Sequence, residues 1–216
     1  MTRAPATEHD LIETRRLRPP AGEDFWVFAY GSLMWNPGFR YLESHAGLIR
    51  GYHRAFCVAS DHYRGTPERP GLVLGLDRGG GCRGRAYRVT AQHHKEVTDY
   101  LHEREMITKI YAPRWLPMLL QPAPGSPMEV PAACASAPPS RMVRAAAYVV
   151  DRSHAQYVGK LPLERMADLI LGGHGRSGSN LAYLENTVRH LDDLGIGDGP
   201  LHRLLRLVEQ RRREPA

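Results

Sequence analysis

The sequence predicts an α+β fold built on a largely antiparallel sheet. Strand-like segments crowd the earlier part of the chain, helical ones fill the later part, and strict βαβ alternation is missing. A doubly wound sheet is thereby disfavoured, and the pattern leaves open whether the sheet closes on itself.

Residues 1 to about 22 mix Pro, Thr, Arg and Glu without periodicity and read as an N-terminal tail, leaving 23–212 as one domain. Phe25–Tyr30, aromatic and β-branched, is the first strand and runs directly into Gly31-Ser32. Leu48–Ala59, Leu72–Leu76 and Cys82–Val89 follow, and the Arg78-Gly79-Gly80-Gly81 break between the last two predicts a hairpin. A helix is expected from Gln92 to about Met106 behind an N-cap at Thr90. Arg114–Leu120 and Val143–Val150 are strand-like, and the Pro-, Ala- and Ser-rich stretch 122–140 between them reads as a surface loop. Three helices complete the chain. Leu163–Leu171 stops at Gly172-Gly173, Leu181–Leu194 ends at Gly195, and Leu201–Arg212 has Pro200 suited to its first turn. No internal repeat is visible.

Composition narrows the classes of function. At 42% hydrophobic and 24% charged, the 216 residues match ordinary globular usage and argue against wholesale disorder. No apolar run approaches the roughly 20 residues that span a bilayer. The Arg15-Arg16 pair lacks the apolar core of a signal peptide, because Leu17, Arg18, Pro19 and Pro20 follow it. A soluble, cytoplasmic protein with no membrane partner is the expectation. Cys57, Cys82 and Cys134 are widely separated and odd in number, which disfavours a disulfide framework or a cysteine zinc site. The net charge of +6 is concentrated at the chain ends, in Arg3, Arg15, Arg16, Arg18 and Arg211 to Arg213. Solvated ends rather than nucleic-acid binding explain it, while a positive surface weakly favours small anionic substrates.

Several motifs fail on spacing. Gly173 to Ser179 imitates a phosphate loop but lacks the Lys and follows a helix, and the same stretch misses the last Gly of a nucleophile elbow. His93 and His94 are helix neighbours about 100° apart and cannot chelate one metal together. No metal site is expected. Two features hold up better. Tyr30-Gly31-Ser32-Leu33 stands where a buried strand ends, a place where the backbone can approach a ligand and successive N–H groups can hold an anion. An ordinary strand-to-loop turn with Tyr30 in the core is the plainer account. Val97, Leu101 and Glu105 are spaced by four and share one helical stripe, apolar except for that carboxylate, while Glu103 points elsewhere. Burial would raise the Glu105 pKa and let it exchange protons near neutrality. Pairing with Arg104 or Arg114 is the structural alternative.

Taken in order, Phe28-Ala29-Tyr30-Gly31-Ser32-Leu33-Met34-Trp35-Asn36-Pro37, Arg50–Phe56, Tyr63-Arg64-Gly65-Thr66 with Pro70–Val73, Glu103-Arg104-Glu105-Met106, Tyr111–Trp115 and Gly175–Ile196 resemble the ChaC-like γ-glutamylcyclotransferases that act on glutathione. The resemblance spans roughly residues 25 to 205. It implies a small mixed, mostly antiparallel β-barrel flanked by helices, with no cofactor and no metal. It also implies a small-molecule reaction that releases 5-oxoproline and cysteinylglycine from glutathione. By position in these motifs, Glu105 takes the place of the catalytic acid/base, and Tyr30, Gly31, Ser32 and Leu33 that of the loop holding the γ-glutamyl group. Arg64 and Tyr111 lie inside matched blocks as pocket residues, with a surface salt bridge and barrel packing as their respective alternatives. Tyr183 is explained by an apolar helix face. The leader and the stretch before Arg141 depart from the pattern, the latter bearing on leaving-group preference. Rival expectations are a cyclotransferase for other γ-glutamyl amides and a non-catalytic binding module on the same fold.

Overall fold

The computed structural model describes residues 16–121 and 141–214. The expected loop at 122–140, Cys134 within it, and the tail before residue 16 lie outside the described residues.

Strand β1 (Phe25–Ala29) is buried along its whole length, which is why it reads as a continuous apolar run rather than an alternating one. Strands β2 (Glu43–Ser60) and β3 (Gly71–Val89) pair antiparallel from Glu43 opposite Arg88 to Ser60 opposite Gly71. Strand β4 (Tyr111–Gln121) joins β2 to β5 (Arg141–Val150), both pairings antiparallel. The order β1-β3-β2-β4-β5 closes into a barrel, because β1 also runs parallel to β5 through Trp26 opposite Ala145 and Val27 opposite Ala146. That parallel contact falls on Ala145 and Ala146, both fully buried; their short side chains let the last strand pack closely against β1.

The hairpin expected at Arg78–Gly81 is absent. Leu72–Leu76 and Cys82–Val89 are two halves of the single strand β3, and both pair with β2. Gly79 and Gly80 at φ +104° and +69° stand across from Gly51 at φ +81°, where the register shifts between Arg50 and Tyr52. Left-handed residues on both strands make a bulge that bends the ladder without reversing it. The reversal lies instead at 61–70, between β2 and β3. The first helix also begins later than its sequence indicates. Thr90 opens a short 3-10 turn (Ala91–His93), its hydroxyl 2.9 Å from His93 Nδ1, and α1 (His94–Glu105) follows.

Helices α2 (Leu163–Gly172), α3 (Asn180–Asp193) and α4 (Gly199–Arg213) pack on one another, and α2 and α3 also contact β3. Ala167 and Ile170 of α2, Leu184 and Leu191 of α3, and Leu204 and Val208 of α4 are buried at these contacts. Pro200 occupies the first turn of α4, and the Asp198 carboxylate accepts from Leu201 N–H at 3.2 Å, a side-chain cap for one of the helix's leading donors. Between α2 and α3, β6 (His174–Gly175) and β7 (Gly178–Ser179) form a two-stranded hairpin. It accounts for the phosphate-loop look-alike, since Ser177 N–H donates to Tyr63 O and Arg176 N–H to His62 O, both at 3.0 Å.

Asn180 fastens the helical layer to the barrel. Fully buried, it accepts from Leu72 N–H at 2.6 Å and donates to Leu72 O at 2.7 Å. Its loss strands both groups in the interior. Asn180→Ala is therefore expected to lower stability by about 2–4 kcal/mol, read as a lower urea midpoint at unchanged slope.

Candidate active site

At the rim where β1 ends, Tyr30 is buried and its carbonyl accepts from Arg54 Nε at 2.5 Å. Arg54 is itself buried; it donates to Arg83 O at 2.6 Å and pairs with Asp198 at 3.2 Å. One cation thus ties β1, β3 and the start of α4 to the site's backbone. The chain then turns through a 3-10 segment (Ser32–Met34) whose Leu33 and Met34 carbonyls accept from Tyr87 Oη at 3.0 and 2.9 Å. Gly31 has a negative φ of −132°, and a Cβ placed there would meet Tyr183 Oη at 3.5 Å and Leu74 Cδ1 at 3.7 Å. Neither contact is a clash. The missing methyl leaves room in a chamber rather than relieving strain.

Helix α1 brings up the acid. Val97 and Leu101 are fully buried, and the Glu105 side chain below them is 16% exposed, whereas Glu103 faces solvent. The four-residue spacing carries Glu105 to the barrel as expected from the periodicity. Burial raises its pKa, and Arg104, with Nε 3.2 Å from Oε1, pulls it part of the way back. Arg104 also donates to Ser32 Oγ at 2.9 Å, to Asn36 O at 2.8 Å and to Tyr100 Oη at 2.7 Å. Arg114, the other candidate partner, is exposed on β4.

Two neighbouring cavities share this carboxyl in their walls. An inner chamber of about 50 Å³ is lined by Tyr30, Gly31, Ser32, Leu33 and Tyr148, and an outer cleft of about 470 Å³ by Trp35, Arg64, Gln156 and Asn186 among others. Ser32, Glu105, Tyr111 and Tyr183 line both. The structure therefore brings Tyr30–Leu33, Glu105 and Tyr111 together around one space, with Arg64 in the adjoining cleft. Glu105 acts electrostatically on the hydroxyls of Tyr30, Tyr111, Tyr148 and Tyr183, and all four have raised pKa values, chiefly through burial.

Arg64 is held by carbonyls rather than carboxylates. It donates to Ser177 O and to Ser179 O, and its guanidinium stands 5.1 Å over the Tyr183 ring. Burial lowers its pKa. The loop carrying it is clamped: a Cβ at Gly71 would sit 2.2 Å from Arg64 O, and one at Gly65 2.2 Å from Gly71 N. A surface salt bridge does not describe this arginine, for no carboxylate partner is found among the described residues. Tyr111 donates to Leu74 O at 2.8 Å, so its hydroxyl is engaged in the barrel wall while its body faces the cavities.

Sequence reasoning did not single out two contributors, and it read a third, Tyr183, as packing alone. Arg54 lies within a matched block, but its cationic head gave no hint of burial. Tyr148 sits in the continuously buried run Ala145–Val150, where any residue reads as core. Tyr183 has the ring packing that its helix face implies, edge-on to Phe56 at 5.9 Å, but its hydroxyl enters the site. His93 and His94 turn to separate partners, Thr90 Oγ1 and Glu23 O. Among the described residues no group of three metal-ligating side chains converges, and no helix is long and apolar enough to cross a membrane.

A small closed barrel carrying a half-sealed acid beside a polar cleft defines a site for a compact, polar small molecule. Comparison with known proteins narrows that class. The family model described as ChaC-like protein matches residues 25–211. The chain is 34% identical over 200 residues to the glutathione-specific gamma-glutamylcyclotransferase of Escherichia coli (strain K12), covering 93% of this chain and 79% of that one. It is 35% identical over 161 residues to the Homo sapiens glutathione-specific gamma-glutamylcyclotransferase 1, covering 74% of this chain but 66% of the human one. A crystal structure of a yeast gamma-glutamyl cyclotransferase specific to glutathione superposes with a TM-score of 0.73 at 25% identity, over 88% of this chain and all of that one. The chain belongs to the ChaC-like family.

The elevated Glu105 pKa has a consequence for stability. A carboxyl whose pKa is higher folded than unfolded favours the folded state while protonated and loses that contribution as pH rises through its folded value. As the pH is raised above about 4, where a free glutamate ionises, Glu105→Gln is therefore expected to gain stability progressively relative to the parent protein. Urea unfolding across that range checks it, and a difference that shrinks or reverses on raising the pH would contradict the assignment.

Proposed function

We propose that this chain cyclises the γ-glutamyl group of glutathione, releasing 5-oxoproline and cysteinylglycine, with Glu105 as the group that moves the proton. The carrying observation is the largely buried Glu105 carboxyl at the junction of the two cavities, facing the same chamber as Tyr30–Leu33. The names of the E. coli, human and yeast relatives point to the same substrate.

In this reaction the substrate's α-amine attacks its own γ-carbonyl carbon and closes a five-membered lactam. Nucleophile and electrophile are already joined, and well-oriented tethered reactions reach effective molarities of ~10⁵–10⁸ M. No activated side-chain nucleophile and no cofactor is required by the bond changes. What remains is to hold the substrate folded back on itself and to carry one proton. The amine nitrogen bonds to the γ-carbon, and the carbonyl π pair moves onto oxygen. The nitrogen's excess proton passes to the Glu105 carboxylate. Collapse of the tetrahedral species breaks the bond to the cysteinyl nitrogen, which takes that proton from Glu105. The acid ends the cycle as it began. A carboxyl with a raised pKa suits both halves, since it is a better base than a free glutamate and still an acid near neutrality.

The remaining residues divide by cavity. The inner chamber has room for only the amino-acid head of the substrate, whose α-carboxylate is assigned to the turn Gly31, Ser32 and Leu33. Tyr30 and Tyr111 wall the reacting end. The outer cleft receives the leaving dipeptide, and Arg64 offers it a cation that no carboxylate among the described residues neutralises. A small-molecule substrate in a cytoplasmic setting is the reading that follows.

Purified protein supplied with glutathione and no added metal is expected to yield 5-oxoproline and cysteinylglycine, detected by mass spectrometry. Glu105→Gln should lower kcat/KM by ~10²–10⁴-fold. Gly31→Ala, which adds a methyl 3.5 Å from Tyr183 Oη, should raise KM with little change in melting temperature. Undiminished turnover by Glu105→Gln would remove it as the proton carrier. A stronger response to other γ-glutamyl dipeptides than to glutathione would reassign the leaving group.

A further inference from the structure

The proposed cyclisation passes through a tetrahedral species whose oxygen carries a full negative charge, and the chamber must offer that oxygen a proton donor. The tyrosines around Glu105 are the candidates, and their hydrogen bonds separate them. Tyr30 Oη donates to Tyr148 O at 2.9 Å and Tyr111 Oη donates to Leu74 O at 2.8 Å, so both protons are committed to backbone carbonyls. The Tyr183 hydroxyl differs: no acceptor for its proton is found among the described residues, and the nearby Leu74 backbone favours the ionised phenol. Its O–H is free to point into the site.

Position separates Tyr183 from Tyr148. Tyr148 lines the inner chamber alone, whereas Tyr183 lines both cavities. With the amino-acid head inside and the leaving peptide outside, the γ-carbonyl must lie at the junction between them, which Ser32, Glu105, Tyr111 and Tyr183 share. Of the two tyrosines there, Tyr111 has its proton committed to Leu74 O. The Tyr183 oxygen also overhangs the Gly31 turn, 3.5 Å from where a Cβ would stand. Behind it, the Arg64 guanidinium lies 5.1 Å from the ring centroid, with no carboxylate partner among the described residues. A cation at that place favours any negative charge that the phenol shares with an acceptor.

We propose that Tyr183 is the oxyanion donor: its hydroxyl proton hydrogen-bonds the γ-carbonyl oxygen and strengthens that bond as the amine adds and the charge develops. The proton is shared throughout and returns to the phenol when the carbonyl re-forms, so Tyr183 makes and breaks no covalent bond to the substrate. This inference rests on the cyclotransferase reading of the same site.

The test is steady-state kinetics with glutathione on Tyr183→Phe, which keeps the ring between Arg64 and Phe56. Loss of one oxyanion donor is expected to lower kcat by ~10²–10³-fold with KM within about threefold of the parent. A kcat within about threefold of the parent, or a loss confined to KM, overturns the role. A second variant guards against a packing effect. Replacing Tyr183 with 3,5-difluorotyrosine acidifies a phenol whose pKa burial pushes up to about 12. The alkaline limb of the kcat profile should then move to lower pH with the same substrate; an unmoved limb overturns the role. Glu105→Gln is run alongside. If that variant is inactive while Tyr183→Phe retains its kcat, the oxyanion assignment alone falls; if Glu105→Gln turns over normally, the reading of the acid falls first.

Discussion

The guanidinium of Arg104 is the joint on which the site depends. It leaves the last turn of α1 and reaches three places at once: the Glu105 carboxyl, the Ser32 hydroxyl and the Asn36 carbonyl. Without it, the acid and the turn after β1 would be brought together only by the packing of a helix against a barrel. Side chains in such packing interdigitate well, but they fix no particular polar atom. With it, a displacement of the turn is felt at the carboxyl. The same contact sets the electrostatic balance. Burial alone would drive Glu105 towards the neutral form, and the adjacent cation moderates that shift without erasing it. A carboxyl locked in a fully buried ion pair would stay ionised and make a poor acid; one with no cation would stay protonated and make a poor base. Arg104 holds it between those limits.

Arg54 performs the matching task from the barrel side. Its donors go to Tyr30 O and Arg83 O, and its charge is met by Asp198. Because Asp198 also caps α4, the rim of β1 is coupled to the helical layer, while Asn180 couples that layer to the start of β3. The two buried polar anchors enclose the loop that carries Arg64. The chamber is thus framed by satisfied polar groups rather than by apolar packing alone. Such groups are costly to displace, which keeps a polar cavity open in a small barrel that would otherwise fill with side chains.

What the sequence disclosed follows from which features are local. The stripe of Val97, Leu101 and Glu105 needs only helical periodicity, and Tyr30-Gly31-Ser32-Leu33 needs only a strand that ends in a turn. Both were legible, and so were the number and class of most elements. Closure of the barrel was not, because the parallel contact of β1 with β5 joins residues about 120 apart, and nothing in either segment names its neighbour. The glycines at 79 and 80 misled for a related reason: left-handed residues serve a reversal and a bulge equally well, and only Gly51 on the opposite strand decides between them. Arg54 and Arg64 carry the same charge as the solvated arginines at the chain ends, so burial, the property that distinguishes them, is tertiary. Tyr183 was half legible. Spacing along α3 accounts for its ring and is silent on its hydroxyl, because periodicity reports which way a side chain leaves the helix and not what its tip meets.

The division of the cavity into a small inner chamber and a larger outer cleft constrains what the site can select. A cyclisation that attacks its own carbonyl needs the same atoms whatever amine departs, so the inner chamber cannot distinguish one γ-glutamyl compound from another. Discrimination has to come from the cleft, and there the available contacts are polar: the Arg64 guanidinium, the Gln156 amide and Asn186. A simple apolar amine would leave these groups desolvated without partners, an arrangement that disfavours binding more strongly than a lost methylene contact does. Gln156 Oε1 is buried with no hydrogen-bond partner among the described residues, so the cleft wall holds an acceptor for a donor supplied from elsewhere. A departing peptide, with amide N–H groups and a terminal carboxylate, matches both that acceptor and the unneutralised arginine, and the polarity of the cleft thereby favours peptide over amine as the leaving group.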